Sequence, residues 1–146
     1  GIAVNLGSAA GPLQDRERLA GIPDPGLFDR HGGVSETSRA LYLMPALVDL
    51  EAAEAAELTL PSHLENMLPD VIAGDPTAQR VFLAEGLKAE ETGKGTSARE
   101  MSSTGVWSVR DPKEATLEAG RIATEVFVDA AVQFIERWKK LRPLKP

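Results

Sequence analysis

The stretch from Asp111 to Pro143 narrows most what this chain can fold into. Asp111 is placed to cap a helix, Pro112 suits the first helical position, and Glu114 follows three residues after the cap. Ala115, Ala119, Ile122, Ala123, Val126, Phe127, Ala130, Phe134, Ile135 and Trp138 then recur at helical spacing. Arg137, Lys139, Lys140 and Arg142 favour the negative end of the helix dipole, and Pro143 stops the run. One long helix with a single apolar stripe is expected, and that stripe needs cover from another layer.

The rest of the chain is read around that helix. Ala40, Leu41, Met44 and Leu47 form a shorter apolar stripe, starting after a cap expected at Ser35 and broken at Pro45. Ile2 to Leu6 reads as a buried strand, and Gly7 to Gly26 as a long loop with one turn at Leu13 to Ala20, because Pro12, Pro23 and Pro25 rule out a continuous helix. Glu51 to Glu57 favours a turn or two of helix by composition, and Leu58 to Pro61 extended chain. From Pro61 to Pro112 irregular, extended structure is expected, with Val81 to Leu87 open to either strand or helix. There is no internal repeat and no low-complexity tract, so residues 1–146 are treated as a single unit.

Composition removes several classes of function. A net charge of -6, with scattered Lys and Arg, leaves no electrostatic footprint for nucleic acid or an anionic membrane. No apolar run reaches the roughly 20 residues of a membrane span, and nothing resembles a signal peptide. With no cysteine there is no disulfide framework and no thiolate metal site, and the cytoplasm is the default location. The abrupt opening at Gly1 fits removal of an initiator methionine or cleavage from a longer precursor equally well.

The most unusual segment is His31-Gly32-Gly33-Val34-Ser35-Glu36-Thr37-Ser38, between a loop and a helix N-terminus. Two glycines after the histidine permit close approach to the main chain. Glu36 in the first helical turn has its ionised form favoured by the helix dipole, and a histidine beside such a terminus suits proton transfer, since imidazoles titrate near neutral pH. Spacing alone leaves a plainer alternative: His31 in a loop, Gly32 and Gly33 in a turn, and Glu36 merely complementing the dipole. Farther on, Ser62-His63-Leu64-Glu65-Asn66 offers His63 and Glu65 as a zinc-type ligand pair, against a surface-loop histidine. Trp107 and Trp138 are read as core side chains.

The His-Gly-Gly-Val-x-Glu-Thr-Ser segment, followed by Pro45-Ala46-Leu47-Val48-Asp49, resembles the signature of the creatininase family in order and spacing. Thr104-Gly105-Val106-Trp107, Asp111-Pro112, Ala115-Thr116 and Glu118-Ala119-Gly120-Arg121 are similar to that family's run into its C-terminal helix. The resemblance spans about Asp29 to Leu141. It implies a three-layer α/β/α fold with a mainly parallel sheet, of which this chain is the C-terminal part. It also implies a site of two divalent metals, zinc or manganese with iron also compatible, that hydrolyses C–N bonds in small amides, often cyclic. His31 matches the family's proton-transfer residue. Asp29, Arg30, Gly32, Gly33 and Glu36 fall at supporting positions around the pocket.

Departures from the pattern refine this expectation. The upstream Glu-x-His, aspartate and Asn-rich segments that ligate the metals are not in this sequence, so no metal ligand is assigned within it beyond the outlying pair His63 and Glu65. Arg30 stands where the family is usually acidic or apolar. Leu27 falls near the tryptophan that packs on creatinine, which disfavours creatinine as substrate, and Ser108-Val109-Arg110 replaces the usual glycine before Asp-Pro. The expected protein is therefore one chain of a two-chain metal-dependent amidohydrolase. Its partners are the N-terminal half as a separate chain, a small-molecule amide and further copies in a homo-oligomer. The rival is a non-catalytic interaction or scaffold subunit that keeps the fold.

Overall fold

In the computed structural model, residues 5–22, 29–57, 62–86, 102–108 and 110–142 are described. The helices are α1 (Leu6–Ala10), α2 (Arg16–Ala20), α3 (Val34–Leu43), α4 (Ser62–Glu65), α5 (Leu68–Ala73), α6 (Pro76–Gly86) and α7 (Leu117–Leu141). The strands are β1 (Asp29–His31) and β2 (Trp107–Ser108). Single 3-10 turns occupy Gly11–Leu13, Pro45–Leu47 and Pro112–Glu114. No helix among the described residues is long and apolar enough to cross a membrane.

The C-terminal helix forms as expected but starts later. Asp111 caps only the 3-10 turn Pro112–Glu114, accepting from Lys113 N–H at 2.9 Å. The helix proper begins after Thr116, whose hydroxyl accepts from Ala119 N–H at 3.1 Å. Its buried face is carried by small residues, with Ala119, Gly120, Val126, Ala130 and Ala131 all buried. Small residues allow close approach, and α3 packs on this face with α1 and α2 beside it. Trp138 departs from the core reading: it is 38% exposed and packs on Phe134, with ring centroids 6.1 Å apart.

The N-terminal third differs from the expected strand and loop. Asn5 caps α1, its Oδ1 accepting from Gly7 N–H at 3.0 Å, so Leu6 begins a helix; residues 2–4 lie outside the described residues. Pro12 sits at the start of the following 3-10 turn, where a missing N–H costs nothing, and Asp15 caps α2. Proline thus marks helix starts here. Arg18 fastens α2 to α7 through Asp129 at 2.6 Å and Glu125 at 3.6 Å. Glu125 also meets Arg121, which pairs with Glu118; these bonds hold the Glu118 carboxyl below, and the Arg121 guanidinium above, its ordinary range. Since Glu118 is lowered on folding, its small contribution is present at neutral pH and is lost as pH falls through its folded value.

The middle segment is more helical than expected. Pro69 lies in the first turn of α5, and Gly74 ends that helix in the left-handed conformation at φ 95°. Asp75 Oδ1 accepts from Thr77 and Ala78 N–H at 2.8 and 2.7 Å, capping α6, so Val81 to Gly86 is helix rather than strand. Leu64, Val71, Phe82 and Trp107 form a second core, against which Met67, Leu68 and Ala78 pack. Glu51 to Glu57 forms no helix, because its alanines line no apolar stripe to bury. The expected extended segment 58–61 lies outside the described residues, as do Pro23, Pro25, Leu27 and residues 87–101.

The expected parallel sheet is not seen among the described residues. β1 and β2 instead pair antiparallel, Asp29 opposite Ser108 and His31 opposite Trp107, with an irregularity between the two pairs. The ladder joins the two cores: Trp107 belongs to the second, while Ser108 packs beside the turn that starts α3.

Candidate active site

The His-Gly-Gly turn leaves β1 and enters α3, and each glycine is required for a different reason. Gly32 has φ 64°, in the left-handed region, and a Cβ there would meet Val106 Cγ2 at 3.4 Å. Gly33 is conformationally ordinary, but a Cβ would fall 1.7 Å from Asp29 Oδ1 and 2.8 Å from Ser108 Cβ. The turn is therefore closed against its own neighbours.

The cap of α3 is assembled from a distance. Gly33 is the cap residue and has no side chain to offer, and Ser35, expected in that role, stands inside the first turn. Asp29 supplies the acceptor instead: its Oδ2 takes the Ser35 N–H at 2.8 Å, while its Oδ1 is buried without a partner among the described residues. Glu36 folds back so that its Oε2 accepts from Gly32 N–H at 2.8 Å, and Thr37 Oγ1 donates to Gly32 O at 3.1 Å. Together Asp29 and Glu36 do the work of a capping box from either side of the turn. Asp29→Ala is expected to cost about 1 kcal/mol in urea unfolding, with Asp29→Asn retaining most of the stability; equal stability of the alanine variant and wild type would contradict this cap.

Within that frame His31 is exposed, and its ring stacks on Trp107 with centroids 6.2 Å apart and planes 19° from parallel. Trp107 itself is only 6% exposed, so it is a fixed support rather than a mobile partner. The imidazole has one face supported and an edge free to meet a small molecule. Position 30 is in β1, but the Arg30 side chain lies outside the described residues.

Reading the residues alone misses two partnerships. Trp107 was expected in a core, and nothing in the spacing announces that strand pairing brings it against His31. The buried Ser38, unassigned from the signature, accepts from Thr116 N–H at 3.1 Å and ties α3 to the start of α7. Gly120 makes that approach possible, since a Cβ there would lie 1.9 Å from Ser38 O.

The described residues do not form a metal site. No three His, Cys, Asp or Glu side chains among them come close enough to share an ion. Near His31 one oxygen of each carboxylate is committed to the turn, Asp29 Oδ2 to Ser35 N–H and Glu36 Oε2 to Gly32 N–H. His63 and Glu65 stand on α4 rather than in a loop; the Glu65 side chain is exposed and that of His63 lies outside the described residues. A cavity of about 510 Å³ opens between α2, α3 and α7, walled on one side by Val34 and Ser35, and His31 and Glu36 are not among its lining residues.

Among known families, the model for creatininase, described as creatinine amidohydrolase, matches residues 7–135. No curated protein and no solved structure matches the chain.

Proposed function

The chain belongs to the creatininase family, and from that premise we propose that it is the His31-bearing part of a two-chain metal-dependent amidohydrolase that opens a C–N bond in a small cyclic amide. The family's fold is α/β and its chemistry is amide hydrolysis; the described residues of this chain contribute mainly helices. In our reading these helices flank a mainly parallel sheet in a three-layer assembly that closes only with the companion chain. The divalent ions, zinc or manganese with iron also compatible, would be ligated from that companion, since the described residues do not suit them.

The single observation that carries the reading is the exposed His31 ring, supported on Trp107 at the end of a turn that its own neighbours hold closed. Hydrolysis adds hydroxide from water to the acyl carbon and a proton to the departing nitrogen. His31 gives the nitrogen that proton as the bond breaks and recovers one from the attacking water. Trp107 keeps the imidazole from turning away. Glu36 and Thr37 hold the Gly32 peptide, so that substrate approaching the main chain meets a fixed edge.

The test is a panel of small lactams, hydantoins and related cyclic amides offered to the native assembly, with mass-spectrometric detection of the ring-opened acid. Hydrolysis of at least one member is expected. An assembly that opens none of them and carries no divalent metal would favour the scaffold reading, in which the fold is kept without its chemistry.

A further inference from the structure

The cavity between α2, α3 and α7 is separate from the His31 edge and has a chemistry of its own. Its volume of about 510 Å³ suits a small organic molecule. Leu19, Ile22, Val34 and Ala123 give it apolar walls. Arg16 from α2 and Arg39 from α3 also line it, and neither makes an ion pair or hydrogen bond among the described residues. In a chain of net charge -6, Arg18 is engaged on Asp129, Arg121 on Glu118 and Glu125, and Arg110 on Glu114, whereas Arg16 and Arg39 leave their guanidinium groups available to a ligand. Two unengaged guanidinium-bearing side chains, from two different helices, thus line one cavity. Glu114, the one acidic residue among the described lining residues, is already held by Arg110.

A second observation points inward. Ser38 lines the same cavity at 2% exposure, and its Oγ is used only as an acceptor, for Thr116 N–H at 3.1 Å. Its hydroxyl hydrogen has no acceptor among the described residues. A buried donor left in this way is costly unless a ligand or water takes it.

We propose that this cavity binds a small organic carboxylate with an apolar body, the carboxylate meeting the guanidinium groups of Arg16 and Arg39, and the body lying against Leu19, Ile22 and Ala123. Guanidinium matches a planar carboxylate through paired N–H donors, which is why arginine rather than lysine suits this recognition. Because Val34 and Ser35 wall the cavity and also form the first turn behind the His-Gly-Gly segment, the bound acid would brace the helix that carries the site. The proposal does not depend on the hydrolase reading.

The experiment is titration calorimetry of the native assembly with 4-phenylbutyrate, its neutral amide 4-phenylbutanamide, and inorganic phosphate. The carboxylate is expected to bind with a dissociation constant below about 1 mM, and the amide and phosphate at least about ten-fold more weakly. Arg16→Ala and Arg39→Ala, both at exposed positions that folding tolerates, are each expected to weaken the carboxylate about ten-fold or more. Ala123→Phe, which fills the apolar wall, is expected to abolish binding, with circular dichroism confirming the fold. Binding indifferent to both arginine substitutions, equal binding of the amide or phosphate, or no binding of the carboxylate at about 10 mM would each overturn the assignment.

Discussion

Gly120→Ala is expected to lower stability by about 3 kcal/mol, even though alanine is the better helix former. The added Cβ would fall 1.9 Å from Ser38 O, 2.4 Å from Ser38 C and 3.0 Å from Arg39 N. These are backbone atoms of α3, so no side-chain rotation relieves the overlap and the two helices must separate. Overpacking typically costs about 1–3 kcal/mol, and a backbone collision belongs at the top of that range or beyond. The helix-propensity gain of replacing glycine, about 1 kcal/mol, offsets only part of this. Separation would also pull Ser38 from Thr116 N–H and leave a buried hydroxyl and amide without each other. For a chain of this size the melting temperature should drop by roughly 6–12 °C. Gly11→Ala is the control: nothing lies within 4 Å of a Cβ there, and the backbone is already right-handed helical, so stability should hold or rise slightly. A Gly120→Ala protein as stable as wild type would show that α3 and α7 do not approach as closely as described.

His31→Ala should reduce amide hydrolysis by about 10²- to 10⁴-fold, the range that a positioned proton donor contributes. The loss should appear in kcat more than in KM, because the proton matters when the C–N bond breaks and little when substrate binds. The His31 side chain is exposed and makes no hydrogen bond among the described residues, so the variant should melt near the wild-type temperature. Trp107→Phe offers a graded comparison: it keeps an aromatic support under the imidazole and should lower kcat far less than removal of the ring it supports. Unchanged turnover in His31→Ala would remove this residue from the chemistry, whatever the family does elsewhere.

The parts of the fold legible in the sequence are those set by local periodicity and capping. The α7 stripe, the end of α3 before Pro45 and the glycine requirement after His31 all follow from residues within a few positions of one another. The start of α7 is not legible because Asp111 and Thr116 are both good caps, and only packing decides that the first closes a 3-10 turn and the second the helix. The middle helices are not legible because Val81 to Leu87 fits strand or helix equally well, and the choice is made by Asp75 capping α6 and by Phe82 packing into the second core. Contacts between distant segments were not legible at all. Trp107 reaching His31, Ser38 reaching Thr116 and Asp29 replacing Ser35 as the cap of α3 each depend on how the chain doubles back, which no spacing along it records.

The family resemblance, by contrast, was legible from two short motifs, and the match over residues 7–135 agrees with it. What those motifs leave open is where the metal ligands come from, because no three His, Asp or Glu side chains among the described residues come close enough to share an ion. The most direct test of the account is a denaturing intact-mass spectrum of the purified native assembly, taken together with its metal content. A second polypeptide carrying Glu-x-His and Asn-rich segments, with two divalent ions for each His31-bearing chain, is the predicted result. A folded assembly made of this chain alone and free of metal would contradict it.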